Sequence, residues 1–293
     1  MKAALFPGQG SQFIGMGKDL YDSNEHAKIL FESAKDILGF DIVDVMHNGP
    51  EDQLKQTNVT QPAVFLHSLV ALKSNAAEIS FDVVAGHSLG EISALVAAEC
   101  ISFEQGLLLV KERAESMQEA CEKTEGTMAA ILGLEDEVVE GVCDGINAIV
   151  VAANYNCPGQ LVISGSLAGI EKAVEQLKEK GARRALVLNV RGAFHSELMQ
   201  PASERLAAQI ENTDFLKPKV PIYQNVTSKA HTDPIEIKKN LLIQLTSPVK
   251  WSQSMKQMIA DGVNSFVELG GNGKTLNGFV RRISKEFETS AFV

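Results

Sequence analysis

Gly86-His87-Ser88-Leu89-Gly90 follows a short apolar run at 81–85 and precedes an apolar, helix-like segment at 91–98. This order predicts a buried strand, a sharp turn and a helix. The glycines two positions before and after Ser88 lack the Cβ atoms that would clash in so tight a turn. Ser88 would then expose its hydroxyl at a helix N-terminus, where free backbone N–H groups can stabilise an oxyanion. We therefore predict a serine nucleophile, with a plain glycine-rich strand–helix turn as the alternative.

Strands and helices alternate on both sides of this turn. Over the first 125 residues the apolar patterns predict an α/β arrangement around a mostly parallel sheet. From 126 to 192 the predicted order becomes βαββαβ, which is typical of a ferredoxin-like unit. The α/β pattern then resumes and ends in a closing helix from Thr275. We predict a large α/β-hydrolase-like domain, residues 1–125 and 193–293, with an inserted ferredoxin-like subdomain, residues 126–192.

The composition is that of an ordinary globular protein, with 45% hydrophobic and 22% charged residues. Its longest apolar stretches are too short to cross a bilayer, and residues 1–7 are typical of a buried strand rather than a signal peptide. The four cysteines lie far apart without a C-x-x-C pair, which favours free thiols over disulfides or a zinc site. We therefore expect a cytoplasmic protein with no membrane partner and no metal.

The formal net charge of −10 argues against nucleic acid as a partner. An acidic protein partner would have to meet a local basic patch, because the chain as a whole repels it. The basic residues of 178–184 and 281–285 are two such patches. Solvated ends of secondary-structure elements are the favoured alternative for both.

Three further positions are candidates for chemistry. His195 follows the last strand of the inserted unit, where the chain re-enters the large domain, and such a junction often forms a ligand cleft. His87 is a poor base for Ser88 because adjacent side chains on a tight turn point apart. The glycines around Gln9 would let its backbone approach a ligand, or would simply make a tight connection. Arg113 could bind a carboxylate in bidentate fashion, or could be a solvated helix residue.

Five short motifs occur together in this chain, in the order Phe6–Gln12, Gln61–Ala63, Gly86–Glu91, Arg113 with Met117–Ala120, and Gly192–His195. With them the chain resembles, over essentially its whole length, the malonyl-CoA:acyl carrier protein transacylases of fatty acid synthesis. It is also similar to the related acyltransferases of polyketide assembly lines. The resemblance implies that the chain is an acyltransferase enzyme.

The resemblance also implies roles for individual residues. Ser88 would carry the acyl group and His195 would be the general base. The backbone N–H groups of Gln9 and Leu89 would form the oxyanion hole, and Arg113 would pair with the free carboxylate of the malonyl group. Further substrate-binding side chains would be those of Gln61, Met117 and Phe194.

Two segments depart from what the resemblance leads us to expect. In the family a main-chain carbonyl of the segment matching 247–251 orients the histidine, and we assign this role to Lys250. Its ammonium cannot accept a hydrogen bond, so it would have to act through its backbone oxygen. The turn Gly270–Lys274 is one residue longer than the family's usual Gly-Pro-Gly-Lys turn.

The implied reaction is ping-pong transfer of a malonyl group, first from malonyl-CoA to Ser88 and then to the phosphopantetheine thiol of acyl carrier protein, in fatty acid biosynthesis. No cofactor is implied beyond these two substrates, and we expect a monomer. One alternative is a discrete, trans-acting malonyl acyltransferase of a polyketide synthase. Another is an editing acyl hydrolase, although such proteins generally lack the arginine.

Two more distant alternatives fit less well. A general serine hydrolase or thioesterase of the α/β-hydrolase type places its histidine near the C-terminus and has an HGGG-like oxyanion loop. Here about 100 residues follow His195, and no such loop occurs. A non-catalytic binding or scaffold module would have no need of Ser88, His195 and Arg113 together.

Overall fold

Two β-sheets organise the chain, and the computed structural model describes all residues, 1–293. The strands are β1 (Lys2–Phe6), β2 (Val83–Gly86), β3 (Gly126–Leu132), β4 (Val150–Cys157), β5 (Gln160–Ser166), β6 (Arg184–Val187), β7 (Ile222–Tyr223), β8 (Ala230–His231), β9 (Ser265–Leu269) and β10 (Glu288–Phe292). The helices are α1 (Lys18–Ser23), α2 (Glu25–Leu38), α3 (Ile42–Asn48), α4 (Glu51–Leu54), α5 (Thr57–Ser74), α6 (Gly90–Ala97), α7 (Phe103–Lys123), α8 (Asp136–Asp144), α9 (Leu167–Glu179), α10 (Gln200–Glu211), α11 (Pro234–Ile243), α12 (Trp251–Ala260) and α13 (Thr275–Ile283). Short 3₁₀ helices span Glu197–Met199 and Gln244–Thr246.

The larger sheet has the strand order β10-β9-β1-β2-β7-β8. Its first five strands are parallel and only β8 runs antiparallel, which confirms the predicted mostly parallel sheet. Strands β1 and β2 are neighbours, with Phe6 paired to Gly86 at their carboxyl ends. Ligands of open parallel sheets bind outside the carboxyl ends of the strands. The loops that follow β1 and β2 therefore meet at such an edge.

The smaller sheet is antiparallel, with the order β4-β5-β3-β6, and α8 and α9 complete the predicted βαββαβ succession. It encloses its own cluster of 14 buried apolar residues. The boundaries at 126 and 192 stay a prediction. Strand β4 reaches the larger part of the chain, because the Tyr155 N–H donates to the Val249 carbonyl and the Val249 N–H donates to the Ala153 carbonyl.

The end of the chain differs from the prediction. A helix does begin at Thr275, but β10 follows it and pairs in parallel with β9. Three of its residues are exposed and two are half-buried, so the strand has no buried apolar run. An edge strand of this kind lacks the hydrophobic signal by which a buried strand is recognised in a sequence.

Candidate active site

The predicted strand, turn and helix are present as β2, Ser88 and α6. Ser88 has φ +53°, a conformation that side chains rarely adopt. A Cβ atom on Gly86 would overlap the Gly90 carbonyl, and one on Gly90 would overlap the Phe6 carbonyl. Both glycines are therefore required for the turn to lie this close to β1.

His195 is hydrogen-bonded to Ser88, as predicted, with 2.7 Å between the Ser88 Oγ and the His195 Nε2. The Nδ1 atom lies 3.1 Å from the backbone oxygens of both Gln244 and Ser247. Because a carbonyl oxygen only accepts, Nδ1 carries the proton and Nε2 is left to accept the Ser88 hydroxyl. Burial, with the nearby Arg113 charge, lowers the pKa of His195 to about 3, so the ring is a neutral base at physiological pH.

The assignment of the orienting carbonyl to Lys250 was wrong. The Lys250 oxygen accepts hydrogen bonds from the backbone N–H and the hydroxyl of Ser254, because Lys250 caps the first turn of α12. The carbonyls that face His195 belong to Gln244 and Ser247, at and just beyond the 3₁₀ helix Gln244–Thr246. The Gln244 carbonyl, just beyond the last residue of α11, also accepts the Ser247 N–H at 3.3 Å, and a carbonyl oxygen with two lone pairs can accept from His195 as well.

Arg113 projects from α7 into the same site and is only 2% exposed, so it is not a solvated helix residue. Its guanidinium donates to the Gln61 Oε1 at 2.6 Å and to the Ser88 Oγ at 2.9 Å. No carboxylate lies within ion-pair distance, and its Nε has no acceptor. Burial lowers the pKa of Arg113 to about 10, which leaves it charged at neutral pH. A buried cation without an anion is costly, so this group is suited to bind one from a ligand.

Ser88, Arg113 and His195 line a cleft of about 130 Å³, and all the remaining predicted residues but Gln61 and Lys250 line it with them. The backbone N–H groups of Gln9 and Leu89 donate to no protein acceptor, as an oxyanion hole requires. Gln61 is fully buried and also donates to the Met117 sulfur at 3.3 Å. The cleft walls include Gln9, Leu89, Met117 and Phe194.

Two residues that sequence reasoning missed hold the turn in place. The Asn225 side chain accepts from the Ser88 N–H and donates to the Gly86 carbonyl, each at 2.7 Å. The backbone N–H of Asn225 in turn donates to the buried Glu91 carboxylate at 2.7 Å. Burial raises the pKa of Glu91 to about 7. Glu91 belongs to the Gly86–Glu91 motif, although no role was predicted for it. Asn225 is distant in sequence, and no sequence pattern pointed to it.

The remaining features concern membranes, metals and cysteines in the described residues, which are the whole chain. No helix combines the length and the apolar character needed to cross a membrane. No three histidine, cysteine or acidic side chains are grouped so that they could hold a metal ion. All four cysteines are free.

Comparison with known proteins gives a consistent result. The acyl transferase domain family matches residues 4–283. The malonyl CoA-acyl carrier protein transacylase of Bacillus subtilis is 44% identical over 293 residues, covering 99% of this chain and 92% of the relative. The crystal structure of an acyl carrier protein S-malonyltransferase from Vibrio cholerae has a TM-score of 0.94 and 41% identity, covering 99% of this chain and 96% of that one.

A further solved relative was captured with its partner. It is a malonyl-transacylase in complex with a type II PKS acyl-carrier protein, with a TM-score of 0.93 and 37% identity. The match covers 99% of this chain and 94% of that one.

Proposed function

We propose a function that starts from family membership: the chain belongs to the acyl transferase family, and it transfers a malonyl group from malonyl-CoA to the phosphopantetheine thiol of an acyl carrier protein. The observation that carries this proposal is the buried, unpaired Arg113 beside the Ser88–His195 pair. An acyl group with a free carboxylate satisfies that charge, whereas an acetyl group leaves it unpaired.

In the first half-reaction Ser88 Oγ attacks the thioester carbonyl while His195 Nε2 takes the hydroxyl proton. The carbonyl oxygen becomes an oxyanion, which the N–H groups of Gln9 and Leu89 stabilise by about 3–4 kcal/mol per donor. The carbon–sulfur bond then breaks as the oxyanion collapses. Coenzyme A leaves as a thiol with the proton that His195 returns, and malonyl-Ser88 remains.

The second half-reaction reverses these steps with a different thiol. His195 takes the proton of the phosphopantetheine thiol, and its sulfur attacks the ester carbonyl of malonyl-Ser88. The carbon–oxygen bond breaks and the Ser88 oxygen recovers its proton from His195. Every bond and proton is then accounted for by the two residues and the two substrates, so the expectation that no cofactor takes part stays part of this proposal.

The carrier protein could belong to either of two pathways. Fatty acid biosynthesis is the main one, and a polyketide assembly line is the second, supported by the relative that binds a type II PKS carrier protein. An editing hydrolase is disfavoured because Arg113 is present and points at Ser88. The free cysteines support a reducing compartment, and we propose that the enzyme acts in the cytoplasm as a monomer.

Intact-mass analysis after mixing with malonyl-CoA or acetyl-CoA tests this function. We expect a malonyl adduct on the wild-type protein, little or no acetyl adduct, and neither on Ser88→Ala. The isolated adduct should pass to the thiol of a phosphopantetheinylated carrier protein and regenerate the free enzyme. An absence of any adduct together with no transfer to a carrier protein would contradict the proposal.

A panel of carrier proteins separates the two pathways. The malonyl-enzyme is mixed with one fatty-acid carrier and one type II polyketide carrier, and the single-turnover rates are compared. Faster transfer to the fatty-acid carrier supports the main reading. Faster transfer to the polyketide carrier replaces it with the second.

A further inference from the structure

The two N–H groups of the proposed oxyanion hole belong to peptide units whose carbonyls are bonded to other parts of the protein. The Gln9 N–H shares a peptide with the Gly8 carbonyl, and the Leu89 N–H shares one with the Ser88 carbonyl. Both peptide bonds are trans. In a planar trans peptide the N–H and the C=O point in opposite directions, so whatever fixes the carbonyl also fixes the N–H.

The loop after β1 shows how the first of these peptides is held. The buried Ser11 hydroxyl donates to the Gly8 carbonyl at 2.7 Å, and no other donor reaches this oxygen. The Gly10 N–H, on the next peptide, donates to the Gln12 side chain at 2.8 Å. The side chains of Ser11 and Gln12 thus bind the groups on either side of the Gln9 N–H, which itself has no protein acceptor.

Building on the proposed function, we propose that Ser11 is a positioning residue for the oxyanion hole. Its hydroxyl holds the Gly8–Gln9 peptide so that the Gln9 N–H points into the cleft. A hydrogen bond to the carbonyl also polarises the peptide, which makes its N–H a stronger donor. Ser11 never touches the substrate and acts only through the Gln9 amide.

The longer glycine turn after β9 packs against Ser11. A Cβ atom on Gly271, which has φ +58°, would lie 2.7 Å from both the Cβ and the Oγ of Ser11. The Gly271 backbone therefore packs directly against Ser11. The turn that departs from the family pattern thus limits how far the serine can move.

The second peptide of the hole is held in the same way. The Gln244 Nε2 donates to the Ser88 carbonyl at 3.1 Å, and the Glu91 N–H donates to the same oxygen at 3.0 Å. Gln244 also presents its own carbonyl to the Nδ1 of His195. Gln244 thus supports the Leu89 N–H with its side chain and orients His195 with its backbone carbonyl.

Ser11→Ala tests the proposal, with Ser203→Ala as the matched control. Ser203 is also a buried serine whose hydroxyl donates to a carbonyl, that of Leu242, but it lies on α10 away from the cleft. The first readout is the rate of malonyl-Ser88 formation in single turnovers. We expect Ser11→Ala to lower the saturating rate about five- to tenfold, less than the 10²–10³-fold lost when a donor is removed. The half-saturating malonyl-CoA concentration should not change, since Arg113 still binds the carboxylate.

The second readout is the infrared carbonyl stretch of the malonyl-enzyme, made with malonyl-CoA labelled with ¹³C at the thioester carbon. Hydrogen bonds lower this frequency, so Ser11→Ala should raise it while Ser203→Ala leaves it at the wild-type value. A serine that merely stabilised the loop would change the melting temperature and not the frequency. Gln244→Met, which keeps the backbone carbonyl for His195, should raise the frequency through the Leu89 donor.

Failure of this inference is distinct from failure of the proposed function. If the wild-type protein forms no malonyl adduct, the function itself is wrong. If the adduct forms and Ser11→Ala changes neither its rate of formation nor its carbonyl frequency, the function stands and Ser11 is not a positioning residue. Should Ser11→Ala not fold, Ser11→Cys takes its place, because a thiol of similar size is a weaker donor, and an unchanged rate and frequency there overturn the proposal.

Discussion

At the scale of single residues, Arg113 is a buried positive charge with no carboxylate at ion-pair distance. Replacing Arg113 with methionine keeps the length of the side chain and removes the charge. We expect the kcat/KM for malonyl transfer to fall about 10²- to 10³-fold, as when one partner of a desolvated ion pair is lost. The ratio of acetyl to malonyl transfer should rise, because no unpaired cation then opposes the acetyl group.

Lys111→Met is the matched control for this change. Lys111 lies two residues earlier on α7 and reaches the Ile37 carbonyl outside the cleft. The same loss of charge there should leave both rates within about twofold of wild type, as for most surface substitutions. Unchanged acyl selectivity in Arg113→Met would remove Arg113 from the specificity site.

A second residue-scale prediction concerns the Lys250 side chain, which would take no part under either assignment of the orienting carbonyl. Its ammonium makes no hydrogen bond or ion pair, and the carbonyls that face His195 belong to Gln244 and Ser247. Lys250→Ala should keep the wild-type transfer rate from pH 6 to 9, whereas His195→Ala should lose most of it. A large fall in the rate for Lys250→Ala, with the fold intact, would show that the side chain contributes after all.

Ser88 and His195 were not equally easy to predict from the sequence. Ser88 has a local signal, since its flanking glycines are explained by the overlaps that a Cβ atom would cause. His195 was one candidate among six until the motifs were taken together. The choice between the carbonyls of Gln244 and Lys250 depends on where a 3₁₀ helix ends and on which way it faces. Such tertiary details leave no pattern in the sequence.

At the scale of secondary-structure elements, the strand–turn–helix unit depends on close contact between main chains. Gly90→Ala would drive a Cβ atom into the Phe6 carbonyl of β1, and neither backbone can move without breaking the sheet. We expect the free energy of unfolding to fall by about 3 kcal/mol or more. Chemical denaturation followed by circular dichroism measures this change.

Gly141→Ala is the control for the overlap that a Cβ atom causes at Gly90. Gly141 lies inside α8, and nothing is within 4 Å of the position of its missing Cβ. Alanine there should stabilise the protein by up to about 1 kcal/mol, because it lowers the entropy of the unfolded chain and favours the helix. Equal effects of the two substitutions would contradict the argument from close contact.

The elements that were predicted well have strong periodic signals of their own. The βαββαβ order was recovered because each strand and helix of that unit packs one apolar face into its own cluster. Strand β10 was missed because it lies at an edge, half-exposed. Asn225 was missed for a different reason: its bonds to Gly86 and Ser88 join segments more than 130 residues apart.

At the scale of the whole molecule, buried titratable groups link stability to pH. Burial lowers the pKa of His67 and His87 to about 4, and that of His195 to about 3. The unfolded chain, with histidine pKa values near 6.5, binds more protons below that pH, so this stability is lost as the pH falls from 6.5. Glu91, with its raised pKa of about 7, has the opposite effect between pH 4.5 and 7. In all, burial lowers the pKa of five histidines and raises the pKa of three carboxyls, so we expect net destabilisation on acidification.

His67 allows this linkage to be tested away from the catalytic cleft. It is fully buried on α5 against Phe13, and neither ring nitrogen has a hydrogen-bond partner. His67→Leu should raise the free energy of unfolding at pH 7.5 by about 1 kcal/mol, because an unpaired polar group is removed. At pH 5 the gain should be larger by about 2 kcal/mol, since the variant no longer takes up that proton on unfolding. Urea denaturation at both pH values measures the two gains. An equal gain for His67→Leu at both pH values would mean that His67 titrates alike in the folded and unfolded chains.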